Sequence, residues 1–187
     1  MTRLIHLNGL PGVGKTTLAR RYVEEHRFAF NLDLDLLRRS LGQWQEHPTS
    51  GIQARRLAIA ALRLHLSDGF DVVVPQFLAR PDFLVDLDEV ATETNAEFIE
   101  VWVRAPLDVV KRRFRDRTDA ATEPQHVEAA QMIGSGGPDA ALDDMSRDLE
   151  VFLRSRIGLI AVDTDGMSSE QSFRLLMASL RGGAAPD

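Results

Sequence analysis

The segment Gly9-Leu10-Pro11-Gly12-Val13-Gly14-Lys15-Thr16 constrains this chain more than any other. It fits G-x-x-x-x-G-K-[ST] at every fixed position, and it follows a short, mostly apolar run from Arg3 to Asn8. The run predicts a strand, and the residues after it predict a helix from Gly14 or Lys15 to Glu25. Between them the glycines let the backbone curl until successive N–H groups point inward at phosphate oxygens. The helix adds the positive end of its dipole. Lys15 then reaches the β- and γ-phosphates of a nucleoside triphosphate, and the Thr16 hydroxyl is offered to a magnesium ion. Thr17 sits either beside the α-phosphate or as an ordinary first-turn residue. The expected nucleotide-binding set is therefore Gly9 to Thr17, with ATP and Mg2+ as cofactors.

Strand and helix patterns alternate along the rest of the chain. Phe28 to Asp33 reads as a second strand. A helix from Asp35 to Trp44 follows, with Asp35 as its N-cap. After a break at Pro48 to Gly51, a long helix runs to about Gly69, its apolar positions Ile52, Leu57, Ala60, Ala61 and Leu64 at helical spacing. Asp71 to Val74 holds three valines in a row, which suits a buried parallel strand that stops at Pro75. A helix over Pro81 to Thr94, a strand over Glu97 to Val103 and a helix opened by Pro106 come next. Asp119 to Asp139 is polar and glycine-rich around "GSGGPD", with a short helix from Glu123 to Met132, and reads as a lid. A helix from Ala140 to Ser155, a strand within Gly158 to Gly166 and a helix from Ser169 to Leu180 close the chain, leaving a tail expected to fray.

This alternation predicts an α/β protein: a three-layer α/β/α sandwich on a five-stranded, mostly parallel sheet, with a helical lid. It forms one domain over residues 1–187, with an acceptor-binding helical segment at about 36–68 and the lid at about 117–140. Ligands belong at the carboxyl ends of the strands. The chain is 44% hydrophobic, enough for one core, and its formal net charge is -6, which argues against a non-specific nucleic-acid coat. There is no cysteine, and the five histidines show no H-E-x-x-H pattern, so neither a disulfide framework nor a zinc site is expected. No apolar stretch is long enough to span a bilayer, and no signal peptide is visible. The expectation is a cytoplasmic protein, monomer or homodimer, with a small-molecule acceptor and no membrane partner.

Residues for the chemistry are sought at strand ends and in the lid. Asp33 and Asp35 follow strand two, at the mouth of the crevice. A carboxylate there orients an acceptor hydroxyl and takes its proton, or helps hold magnesium. Asp35 is favoured as base, because the helix behind it keeps it ionised and capping fixes its position. Asp33 is an acceptor-binding candidate or a surface carboxylate. Arg38, three residues after Asp35, clamps an anionic group of the acceptor or forms a solvated ion pair. Gln76 follows strand three and can hydrogen-bond an acceptor or a metal-bound water, whereas Asp71 lies at the wrong end of that strand and is structural. Arg113 and Arg117 share a helix face just before the lid, suited to stabilising a transferring phosphoryl group. Asp165 and Gly166, after the last strand, border an adenine ring. Trp44, His47, Arg55 and Arg56 lie in the acceptor segment, each more readily explained by packing or surface.

In the order GLPGVGKTT, LDLDLLRR, VVVPQF and RRFRDR, the chain resembles the P-loop kinases of the adenylate, shikimate and gluconate kinase type. It looks closest to the zeta-toxin-like phosphotransferases, a group that includes chloramphenicol phosphotransferase. The resemblance implies transfer of the ATP γ-phosphate to a small acceptor, with Asp35 matching the family's aspartate after the second strand and Arg113 and Arg117 its lid-side arginines. The sequence departs from the family at Val74, Pro75 and Gln76, where relatives often carry an acidic residue. Two other readings stand beside it: a nucleotide-gated ATPase or switch acting on a partner, and a polynucleotide or toxin-like kinase.

Overall fold

The computed structural model describes residues 1–119 and 137–182, without the side chains of residues 117–119. Five strands run β1 Arg3–Asn8, β2 Phe30–Asn31, β3 Val72–Val74, β4 Glu97–Arg104 and β5 Ile160–Asp163. Among the described residues the helices are α1 Lys15–Glu25, α2 Leu34–Arg39, α3 Ser50–Ser67, α4 Asp82–Glu93, α5 Leu107–Asp119, α6 Gly137–Leu153 and α7 Ser169–Gly182. Every strand pair is parallel, in the order β2-β3-β1-β4-β5. The sheet is thus wholly parallel, and the expected α/β architecture is the one observed.

The period-two alternation of β1 divides the core into two layers. Ile5 and Leu7 join Leu18, Ala19 and Tyr22 of α1 and Phe173, Leu176 and Leu180 of α7 on one face. Leu4 joins Ala58, Leu62 and Leu66 of α3 and Leu84, Leu87 and Val90 of α4 on the other. Asp71, just before β3, ties β1 and α1 together at the amino-terminal edge of the sheet. Its carboxylate accepts from the Arg3 backbone N–H at 2.8 Å and from the Tyr22 hydroxyl at 2.7 Å. This is the structural role expected of it.

Three elements differ from the sequence expectation. α3 buries Ala54, Ala58, Leu62 and Leu66, while Ile52, Leu57 and Leu64 of the expected stripe are exposed. Both stripes have helical spacing, and only the position of α4 and the sheet selects between them. β2 is confined to Phe30–Asn31, because Phe28 takes φ 57°, which an extended strand does not allow. α2 begins after Asp33, not Asp35, and stops at Arg39, well short of Trp44. The expected helix from Glu123 to Met132 and most of the lid segment lie outside the described residues. So does the tail beyond Gly182. Among the described residues, no helix is long and apolar enough to cross a membrane.

Two stability measurements follow from this packing. Tyr22→Phe removes a buried hydrogen bond to a carboxylate, and urea unfolding is expected to show a loss of about 1.5–3 kcal/mol. His6 is fully buried, and burial lowers its pKa from 6.5 to about 4. The unfolded chain therefore binds a proton that the folded chain refuses, and stability falls as pH drops from about 6.5 toward 4. The full loss is roughly 3 kcal/mol, and His6→Asn is expected to flatten that part of the stability–pH curve.

Candidate active site

The phosphate loop is set by a close backbone approach. Gly9 has φ 151°, and a Cβ there would stand 2.2 Å from the carbonyl oxygen of Val103 on β4. No side chain fits against that carbonyl, so the first position of the loop is glycine by sterics. Gly14 is the N-cap of α1 in the left-handed region, φ 101°, which aims the first turn of the helix into the loop. Lys15 donates from Nζ to the carbonyls of Gly9 at 2.7 Å and Leu10 at 2.9 Å, arching back across the loop. Its ammonium is thereby held over the curl where loop amides and helix end converge. Thr16 stands in the first turn of α1.

On the α7 side of the loop a cavity of about 240 Å³ is lined by Gly12, Gly14, Thr17, Arg113, Thr164 and Met167 among others. Arg113 donates to the Thr164 hydroxyl at 3.1 Å and to the Thr164 carbonyl at 2.9 Å. Thr164 is buried, and its hydroxyl is within hydrogen-bond distance of the carbonyls of Val13 and Arg104. The loop after β5 is therefore fastened to the phosphate loop through one side chain. Met167, and not Asp165 or Gly166, reaches the lining of this cavity. Gly166, at φ 63°, turns the chain, and the Asp165 amide donates to Asp163. Of the expected pair, Arg113 is engaged at Thr164, and the Arg117 side chain lies outside the described residues. Lys111 and Arg115 of the same helix pair with Asp143 and Asp139 of α6.

Across the loop, at the end of β2, the two aspartates divide their work differently from the sequence expectation. Asp33 is the N-cap of α2, its Oδ1 accepting from the amides of Asp35 at 2.9 Å and Leu36 at 3.1 Å. Asp33 wins the cap because it keeps extended geometry, φ -91° and ψ 112°, while Asp35 is already helical. Asp35 is left without the capping duty, in the first turn at the crevice mouth. Although the residue is open to solvent, its carboxyl is raised above the ordinary aspartate range. Desolvation by the surrounding protein is the main cause and the Asp33 carboxylate the second, opposed by Arg39, Lys15 and Arg38. The net direction is opposite to the ionising effect expected of the helix end. Arg38 donates from Nε to the Ser50 hydroxyl at 2.8 Å and lies 5.1 Å from the Trp44 ring centre. That pair holds the guanidinium plane in place. Arg55 packs over Phe83.

Gln76 follows β3 as expected, and its backbone carbonyl accepts from His6 Nε2 at 3.0 Å. His6, Asn8, Ser50 and Thr164 were not singled out from the sequence. The signal for the first two was present: polar residues at alternate positions of an otherwise apolar strand demand buried partners.

Among the described residues, no cluster of three histidine, cysteine or acidic side chains could hold a metal ion on its own. The Thr16 hydroxyl and the Asp33 and Asp35 carboxylates are hard oxygen donors. Such a set suits magnesium that arrives with phosphate oxygens and keeps several waters, and does not suit a protein-only metal cage.

The family model described as "AAA domain" matches residues 4–133. The chain belongs to that family. A curated relative in this comparison, L-seryl-tRNA(Sec) kinase of Methanococcus maripaludis, is 27% identical over 118 residues, 61% of this chain and 46% of the relative. The chain thus spans less than half the length of that relative. Among solved structures, a gluconokinase from Sinorhizobium meliloti aligns with TM-score 0.63 and 19% identity, covering 96% of this chain and 92% of that one. The Deinococcus radiodurans tunicamycin resistance protein aligns with TM-score 0.61 and 20% identity, covering 96% of each chain. The Mycobacterium tuberculosis APS kinase, in complex with AMPPNP and APS, aligns with TM-score 0.60 and 20% identity, covering 96% of this chain and 98% of that one. With the family match, these likenesses give this AAA-family chain the fold of the P-loop kinases.

The close approach at Gly9 yields a direct test. Gly9→Ala places a methyl against the Val103 carbonyl, a rigid backbone atom. Thermal or urea unfolding is expected to show a loss of about 2–3 kcal/mol or more, with nucleotide binding lost at concentrations that saturate the parent protein.

Proposed function

We propose that the chain is an ATP-dependent phosphotransferase that moves the γ-phosphate to a hydroxyl or phosphate of a small-molecule acceptor. The observation that carries this reading is the placement of Asp35. Its carboxyl is raised in pKa, released from capping by Asp33, and close enough to Lys15 of the phosphate loop to feel its charge. A base needs a raised pKa and a place beside the reacting phosphate, and the direction of the Asp35 shift and the influence of Lys15 on it support that role.

Lys15 and the loop amides bind the β- and γ-phosphates, and Thr17 lies on the path toward the nucleoside cavity. Thr16, with a carboxylate at the end of β2, would hold the magnesium ion, which when bound neutralises charge on the phosphates. Asp35 takes the proton of the acceptor hydroxyl as the new oxygen–phosphorus bond forms and the bond to the β-phosphate oxygen breaks, releasing ADP. Asp33 positions Asp35 through the cap. Arg38, held by Ser50 and Trp44, receives an anionic group of the acceptor, and Gln76 lines the same side. Arg113, fixed at Thr164, serves the nucleoside side of the loop more directly than the phosphoryl group, with Asp165 and Gly166 shaping the loop beyond it. Arg117 remains the candidate for the transferring phosphoryl group. The protein acts in the cytoplasm without nucleic acid.

Purified protein with ATP and magnesium is expected to phosphorylate one member of a panel of sugars, nucleosides, nucleotides, aminoglycosides and nucleotide-sugars, as read by mass spectrometry of the products. Asp35→Ala should lower turnover by about 10²–10⁴-fold while sparing ATP binding, and Lys15→Ala should weaken both. ATP binding without any phosphorylated acceptor would favour a nucleotide-gated switch, consistent with Gln76 standing where relatives often carry an acid. The pH profile gives a further check. Activity falls as pH drops through the Asp35 pKa. Asp33→Asn keeps the cap but removes the neighbouring charge, so the acid limb is expected to move to lower pH.

A further inference from the structure

β1 and β3 pair only as far as His6 opposite Val74, because Pro75 then ends the ladder. Beyond that point two buried side chains of β1 take over from backbone pairing. His6 Nε2 donates to the Gln76 carbonyl at 3.0 Å. Asn8, 2% exposed, donates from Nδ2 to the Leu78 carbonyl at 2.8 Å and accepts at Oδ1 from the Leu78 amide at 3.0 Å. Both side chains lie two residues apart on one face of β1, and they grip positions two residues apart in the continuing chain. A side chain's length now separates the two segments where a ladder would have drawn them together. The segment Gln76–Leu78 thus forms a wall held beside β1 at the carboxyl end of the sheet by side chains.

Asn8 does one thing more. The same Oδ1 accepts from the amide of Gly9, the first residue of the phosphate loop, at 2.9 Å. Gly9 in turn offers its carbonyl to the Lys15 ammonium at 2.7 Å. One buried amide therefore joins the wall that carries Gln76 to the loop that carries Lys15. Resting on the phosphotransferase reading above, we infer that Asn8 is a positioning residue: it fixes the acceptor-side wall to the phosphate loop, so that a nucleotide ordering the loop also orders Gln76–Leu78. The buried amide is suited to this, since both lone pairs of Oδ1 are used and any movement of the wall relative to the loop breaks a hydrogen bond in the core.

The test is amide hydrogen exchange over Gln76–Leu78 with and without ADP, beside calorimetric ADP binding. In the parent protein ADP is expected to slow exchange in that segment. In Asn8→Ala, ADP should bind within about threefold of the parent while the ADP-dependent slowing disappears. Asn8→Asp, close in shape, keeps an acceptor for both amides but loses the donor to Leu78, and should show partial slowing. It also decides the matter should Asn8→Ala fail to fold. With an acceptor in hand, kcat of Asn8→Ala should fall by about tenfold or more at a nearly unchanged KM for ATP. Full slowing retained in either variant overturns the inference. So does absence of slowing in an ADP-binding parent, or loss of ADP binding in both variants, which would make Asn8 a support of the loop alone. A parent protein that binds no nucleotide overturns the phosphotransferase reading itself, and this inference with it.

Discussion

The contact on which the rest depends is the approach of Gly9 to the Val103 carbonyl. It brings the phosphate loop against β4 with no side chain between them. From there the loop has little freedom in where it can run. Its far end is fixed by Gly14 at the start of α1, and its middle by the Thr164 hydroxyl at Val13. Lys15 and Thr164 anchor the loop by its carbonyls, and Asn8 anchors it by the amide of its first residue, Gly9.

The loop divides the crevice into two sides with different character. Toward α7 the lining is mostly small residues, with two threonines, Met167 and Arg113. Toward α2 there are two aspartates, Arg38 and the Gln76–Leu78 segment. The pairing of Asp33 and Asp35 shows how neighbouring carboxylates acquire separate roles. One satisfies the helix end, its Oδ1 accepting from two backbone amides. The other is left with a desolvated carboxyl beside a like charge, which raises its basicity.

Much of the fold was legible along the chain because a parallel sheet between helices needs continuous apolar strands and punctuated helices. β1 and α1 fall where the phosphate-loop motif requires them, and the valine run of β3 marks a strand buried on both faces. Spacing alone points to the exposed stripe of α3, because it names a face without saying what covers it. It does not separate Asp33 from Asp35 as the cap of α2, because both suit an N-cap and only the backbone angle at each decides. Of the acceptor side, Asp35 and Arg38 were visible as types near a strand end. Ser50 and Trp44, which hold Arg38, come from a separate segment and carry no local signal.

The sequence by itself determined the phosphate loop, the order of strands and helices, and the residues available for phosphoryl chemistry. Those properties are local: glycine where φ or close approach demands it, apolar runs where both faces are buried, lysine and threonine at fixed offsets. Tertiary structure alone decided which aspartate caps α2, where Arg113 is fixed, and that His6 and Asn8 hold the chain beyond Pro75. Each of these joins residues far apart in the chain or chooses between equal neighbours. The deciding energies are the burial of polar atoms and the need to partner them, which exist only once the core has closed.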